Sequence, residues 1–234
     1  MSATAKMPPT RSRNVLDRSD MAYFLPMAAF LLITETALFA PAFYPAFYVA
    51  KTALVVILLI HFWPKYTKIS WNYWWLGIIF GVVGVVQWVG MENFLMHHWP
   101  SYPKLAAVDP FNPYGKISSE PTRVIFIAVR WAGASLVVPI MEELFWRDWV
   151  WRTTLAPNNF KLAEVGEPSL SVWLIVSVIF CLVHTQWMTA IVWAMMIGGL
   201  LMLTRSLGAC ILMHAVTNFL LGLYVLRHHA WYFW

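Results

Sequence analysis

Charge is scarce in this chain. Asp, Glu, Lys and Arg make up 12% of its 234 residues, about half the share of a soluble domain. A chain so poorly charged cannot wrap one globular core in a water-compatible surface, so a soluble fold is excluded. Cysteine is scarcer still: only Cys181 and Cys210 are present, both inside apolar runs. That excludes a disulfide scaffold and fits buried thiols behaving as small hydrophobes. No HExxH sequence occurs, so the helical zinc-peptidase signature is missing. No basic face exists for nucleic acid, although the net charge is +5. The alternating pattern of a membrane β-barrel is absent as well.

Apolar residues fill the space that charge leaves. They are 60% of the chain, with a mean hydropathy of +0.63. Several runs approach the ~20 apolar residues that cross a bilayer as a helix. The expected spans are 21–40, 44–63, 73–91, 122–138, 140–155, 170–187, 188–204 and 207–226. The fold class is therefore all-α, a polytopic transmembrane bundle of about eight helices. Fifteen Trp and nine Tyr suit headgroup-level belts, as in WNYWWLG (71–77) and HHAWYFW (228–234). No internal repeat is visible. Residues 1–20 read as a polar, basic cytoplasmic tail, 21–121 as an N-terminal group of spans, 122–226 as a second unit and 227–234 as a C-terminal tail. The Pro- and Asn-rich stretch 97–121 reads as an extramembrane loop.

Lys6, Arg11, Arg13 and Arg18, with Lys65 and Lys68, place the N-terminus and the 64–70 loop in the cytoplasm under the positive-inside rule. The long loop is then external. Pro139 either kinks one helix or separates two. Separation puts the C-terminus, with Arg227, inside, and leaves Glu142 and His184 near one membrane face. One uninterrupted helix would tend to drive those two apart in depth, so a kink or break is favoured.

The few ionisable groups within spans each cost about 2.5–3.5 kcal/mol at mid-helix, which makes each a candidate site. They are Glu35, Lys51, Arg130, Glu142, Glu143, Arg147, His184 and His214. Glu35 and Lys51 are placed to pair across the APAFYP turn. In PIMEELFWRD (139–148), Glu143 and Arg147 are four apart and share a helix face. Glu142 projects ~100° away, where its own i+4 neighbour, Trp146, cannot neutralise it. One carboxylate has a partner and the other must find one elsewhere. A plain Glu/Arg pair at a headgroup-level helix end, with Glu142 solvated, fits the same residues. FCLVHTQW puts Phe180 and His184 on one face, and HAVTN does the same for His214 and Asn218. Such groups also serve as interhelical glue. Together they have the makings of a hydrolytic site: desolvation moves a carboxylic acid towards the range of a general base, a His holds water, and a His with an amide donates to an oxyanion.

EELFWR, FCLVH and HAVTN, in this order, resemble the EExxxR, FxxxH and HxxxN motifs of the CPBP intramembrane proteases. That family includes CAAX prenyl endopeptidases and bacteriocin-processing and abortive-infection proteins. The resemblance covers about 124–226. It implies an intramembrane endopeptidase in which Glu142 and His184 activate water and His214 and Asn218 form the oxyanion site. Glu143, Arg147 and Phe180 would shape that site, and no cofactor is needed. Zinc, held by two His and a Glu from separate helices, stays the rival chemistry. The family has a small residue after its FR, whereas this chain reads FWRD, so Asp148 and its tryptophans put the pocket shape in question. The first half resembles the exosortase-associated branch. That implies a bacterial inner-membrane protein with membrane-protein partners in a sorting system. Its substrates would be membrane-anchored proteins with a C-terminal signal rather than prenylated CAAX proteins. A non-proteolytic scaffold or immunity protein that kept the cavity is the alternative, and a transporter is a third class.

Overall fold

A computed structural model describes residues 18–105 and 109–234. The basic tail that carries Lys6, Arg11 and Arg13 lies outside the described residues. The described chain is helical, with no strand, and six helices are long and apolar enough to cross a membrane. We number eight helices: α1 Arg18–Leu38, α2 Tyr44–Phe62, α3 Trp74–His98, the single-turn α4 Pro113–Lys116, α5 Glu120–Leu155, α6 Leu170–Cys181, α7 Trp187–Thr204 and α8 Leu207–His228. This is an integral membrane protein.

Local chemistry sets several helix ends. Pro occupies the first turn of α2, α4 and α5, where its missing N–H is no loss. Ser169 and Ser206 cap α6 and α8 through their hydroxyls, which accept from Val172 and Ala209 N–H. Arg205 and His229 end α7 and α8 in the left-handed conformation, at φ 50° and 54°.

The expected pair of spans 122–138 and 140–155 is one helix, α5. Pro139 does not separate it, because two π-helical stretches, Gly133–Val137 and Leu144–Val150, absorb the register change around it. At 36 residues α5 is about 54 Å long, well over the ~30 Å hydrocarbon core, so a single crossing leaves length to spare. One crossing instead of two changes the topology. The start of α1, the 63–70 segment, the end of α5 and the start of α8 share one face, here the α1 face. Arg152 donates to Thr67 at 2.8 Å, Trp149 to Asp20 at 3.1 Å, and Gly208 N–H to Ser70 at 2.9 Å. The 97–119 loop and the C-terminal segment share the opposite, loop face. There Trp187 donates to Pro103 at 2.7 Å and Gln186 to Tyr232 at 2.7 Å. The C-terminus therefore lies on the face opposite the start of α1, not on the same face as a break at Pro139 would place it. Residues 230–233 are also no loose tail: Trp231 and Phe233 are buried against the bundle.

Helix α3 carries a stripe of Gly77, Gly81 and Gly84 that faces α8. A Cβ at Gly81 would lie 2.6 Å from Val216 Cβ, and one at Gly84 would lie 2.6 Å from Thr217 Oγ1. The missing side chains let the backbones close, and Thr217 donates to Gly81 C=O at 3.0 Å. In lipid, where no hydrophobic effect drives helices together, such close packing is a main source of cohesion. It fixes α8, and with it His214 and Asn218.

Glu92, absent from the sequence-based group of candidate ionisable residues, is fully buried on α3. It accepts from Tyr102 at 2.5 Å and Thr189 at 2.9 Å, and pairs with Lys104 at 3.1 Å. Burial, then the Glu92 hydrogen bond and charge, push the Tyr102 phenol up, so it stays a donor. The cluster pins the loop to α3 and α7. The expected Glu35–Lys51 pair does not form. Glu35 is exposed on the outer side of α1, whereas Lys51 is buried and donates to Thr34 at 2.9 Å.

Candidate active site

Five helices, α3, α5, α6, α7 and α8, and the turn after α6 meet around a cavity of about 170 Å³. Glu142, His184, His214, Asn218 and Phe180 all line it, with Trp88, Trp193, Gln186 and Phe233. Glu143 and Arg147 stand behind the wall. Glu142 and His184 reach one cavity even though α5 is uninterrupted, because α6 is only 12 residues long, about 18 Å. It stops inside the membrane thickness, and His184 follows in the turn after Cys181.

The two adjacent glutamates have different surroundings. Glu143 is fully buried and held from two helices. Arg147 Nη1 and Nε approach its two oxygens at 3.3 Å each, and His214 Nδ1 lies 2.8 Å from Oε1. The i,i+4 pair expected from sequence is therefore present, with a histidine added. Arg147 itself lies over the Phe180 ring, 4.6 Å from its centroid, so its charge is spread between a carboxylate and a π-face. Glu142 Oε2 and Glu143 Oε2 are both buried without a hydrogen bond among the described residues, but Glu143 Oε2 faces Arg147 Nε, whereas Glu142 has no ion pair there and lines the cavity. No hydrogen bond joins Glu142 to His184. The two are brought together by the cavity they line.

The hydrogen bonds fix the imidazole tautomers. His184 Nδ1 lies 2.8 Å from the Phe180 carbonyl. A carbonyl only accepts, so Nδ1 carries the proton and the neutral ring offers a lone pair at Nε2. Phe180 stacks on the ring at 4.3 Å and fixes its plane. His214 Nδ1 faces a carboxylate and is likewise a donor. Its Nε2 donates when the ring is protonated, with Glu143 as the counter-charge.

Asn218 is held by a consequence of Pro139. In the π-helical register, Val138 N–H reaches back to Gly133 C=O. The next donor in that register would be residue 139, which is proline and has no N–H. The Ala134 carbonyl is left to another donor, and Asn218 Nδ2 supplies it at 2.8 Å. One amide N–H remains free. The sequence pairs Pro139 with a change of helix direction, while the structure gives it this second role.

Asp148, the residue that departs from the resembled motif, does not enter the cavity. It is fully buried towards the α1 face, where Arg152 and Tyr23 donate to it at 2.5 and 3.0 Å. Trp88 and Trp193 line the cavity, and their buried indole N–H groups have no partner among the described residues. They carry no sequence signal that separates them from the many interfacial tryptophans. Among the described residues, no three His, Cys, Asp or Glu side chains converge in a way that would hold a metal ion.

Compared with known families, residues 124–220 match the Rce1-like family, described as type II CAAX prenyl endopeptidase Rce1-like. The match covers less than half of the chain. It opens within the first turns of α5 and closes two residues after Asn218, so Glu142, His184, His214 and Asn218 all lie inside it. By its description the matched family is one of endopeptidases. No curated protein and no solved structure matches the chain. The residues before the match hold α1 to α4, of which α3 supplies the glycine stripe and Trp88.

Proposed function

We propose that the protein is an intramembrane endopeptidase that hydrolyses a peptide bond of a membrane-anchored protein with water activated by Glu142 and His184. The observation that carries this reading is the inequality of the two glutamates. Glu143 is held by the charge of Arg147 and by His214, whereas Glu142 has no ion pair among the described residues and lines the cavity with a buried, unbonded oxygen. A cavity of 170 Å³ has room for about five waters at ~30 Å³ each. It suits a short stretch of extended backbone and one water.

In this reading Glu142 takes a proton from a water that His184 Nε2 orients. The hydroxide oxygen bonds to the scissile carbonyl carbon and the carbonyl π-pair moves to oxygen. The oxyanion accepts from His214 Nε2–H and the free Asn218 N–H. Glu142 then returns the proton to the departing amine as the C–N bond breaks. Glu143 balances the charge on His214, and Arg147 holds Glu143. Gln186 and Phe233, which line the cavity, belong to the loop face, so substrate enters from there or from lipid at that depth. A sorting-system role rests on the resemblance of the first half alone.

Glu142→Gln keeps the shape and removes the base. We expect peptidase activity to fall about 10³-fold, within the span of general-base effects, with Tm unchanged or raised. Comparative proteomics of membrane fractions from cells carrying each form is the assay. A terminus cut equally by the Glu142→Gln variant sinks the assignment and favours a scaffold that kept the cavity.

A further inference from the structure

Away from the cavity, two cations are buried without an anion. Lys51 on α2 and Arg130 on α5 are 6% and 4% exposed. Neither takes part in any ion pair among the described residues. Lys51 Nζ donates to Thr34 and lies over the Phe30 and Tyr48 rings, 4.2 and 4.6 Å from their centroids. Arg130 Cζ lies 5.4 Å from the Tyr44 and Tyr48 centroids and 4.9 Å from that of Trp234. The two charges thus share one tyrosine ring.

Aromatic faces compensate positive charge, but they leave N–H donors largely unused. Arg130 Nη1 is buried with no hydrogen-bond partner among the described residues. A guanidinium does not shed its proton to escape that state. The missing partner is an acceptor that carries negative charge. Glu35 does not supply it, being exposed beside Thr34 on the outer side of α1.

Position says where the acceptor comes from. Both side chains lie between the α1–α2 hairpin and α5, and Tyr44 and Trp234, which flank the guanidinium, belong to the loop-face ends of their elements. The hairpin around them turns large apolar residues outward: Leu32, Phe39 and Phe43 are 67%, 90% and 65% exposed. In a bilayer Leu32 faces acyl chains, Phe39 and Phe43 lie at the hairpin tip nearer the headgroups, and Lys51 lies about two helical turns below that tip. We infer that Lys51 and Arg130 form a binding site for a lipid phosphate oxyanion, occupied by an anionic phospholipid whose chains lie along the α1–α2 hairpin. Bound there, the phosphate accepts from Arg130 and Lys51 and ties α2 to α5.

The test uses the full chain in detergent, with phosphatidylglycerol and phosphatidylcholine offered together and retained lipid read by native mass spectrometry. The expected result is a preference for phosphatidylglycerol of about tenfold or more. In the combined Lys51→Met and Arg130→Gln form the preference falls to within about twofold. Equal preference in both forms overturns the site. Inorganic phosphate has the oxyanion without the chains, so a hundredfold excess is expected to leave the lipid in place. Full displacement assigns the site to a free anion and overturns the lipid. A benzoylphenylalanine at position 43, with both cations intact, does not depend on the variant folding. In vesicles of equal phosphatidylglycerol and phosphatidylcholine it should capture the anionic lipid preferentially, and equal capture rejects the proposal.

Discussion

Glu142 and Glu143 are chain neighbours on one helix, and a turn of ~100° gives them different chemistry. Glu143 meets Arg147 and His214, whereas Glu142 meets the cavity. Removing the Glu143 charge strands a buried arginine. Glu143→Gln should therefore cost about 3–5 kcal/mol of stability, the usual result of breaking a buried pair from one side. The combined Glu143→Gln and Arg147→Met form should recover most of that loss, because no buried charge is left alone. Thermal unfolding in detergent checks the order of the three Tm values. Activity separates the two roles: the double form is expected to fold and still cleave poorly, since His214 has lost its counter-charge.

At the scale of elements, α5 and α3 do the positioning. Pro139 withholds the N–H that would satisfy Ala134, and Asn218 takes its place. Pro139→Ala restores a backbone donor that competes with the amide. We expect stability to hold or rise and turnover to drop about tenfold, as the proposed oxyanion donor loses its fixed position. Turnover unchanged by Pro139→Ala separates the proline from the site. The glycine stripe makes a paired prediction. A Cβ at Gly81 meets Val216 at 2.6 Å, while one at Gly90 meets nothing within 4 Å. Gly81→Ala should destabilise by about 1–3 kcal/mol through overpacking and lower activity by displacing His214. Gly90→Ala should be neutral or slightly stabilising. The motif that carries this, Gly77, Gly81 and Gly84 at helical spacing, is readable in the sequence once small residues are weighed as contacts.

For the molecule as a whole, a single crossing by α5 puts the two faces in opposition. The α1 face presents Lys65, Lys68, Lys161 and Arg205, and the loop face presents Lys104, Lys116, Arg123 and Arg227 among the described residues. Orientation is a prediction: with the α1 face in the cytoplasm, as the positive-inside rule expects from the sequence, the cavity lies nearer the other side. Single cysteines at Lys68 and His229, in a form lacking Cys181 and Cys210, should react with an impermeant maleimide from opposite sides of sealed vesicles. Labelling from one side restores a double crossing at Pro139.

Composition alone determined that the chain lives in a bilayer, because so few charges leave no other solvent for the apolar surface. Motif order singled out Glu142, His184, His214 and Asn218 as candidates, because they are costly in lipid and stand out against it. Their partners were decided by the tertiary structure. Helical spacing predicts an i,i+4 pair such as Glu143–Arg147, but contacts between helices depend on depth and rotation, which no local pattern encodes. So the His214–Glu143 bond, the Asn218–Ala134 bond and the burial of Glu92 emerged only when the helices packed. Pro139 marks the boundary between the two kinds of knowledge. Its missing N–H is a fact of sequence, and which carbonyl that leaves unpaired depends on the π-helical register adopted in the fold.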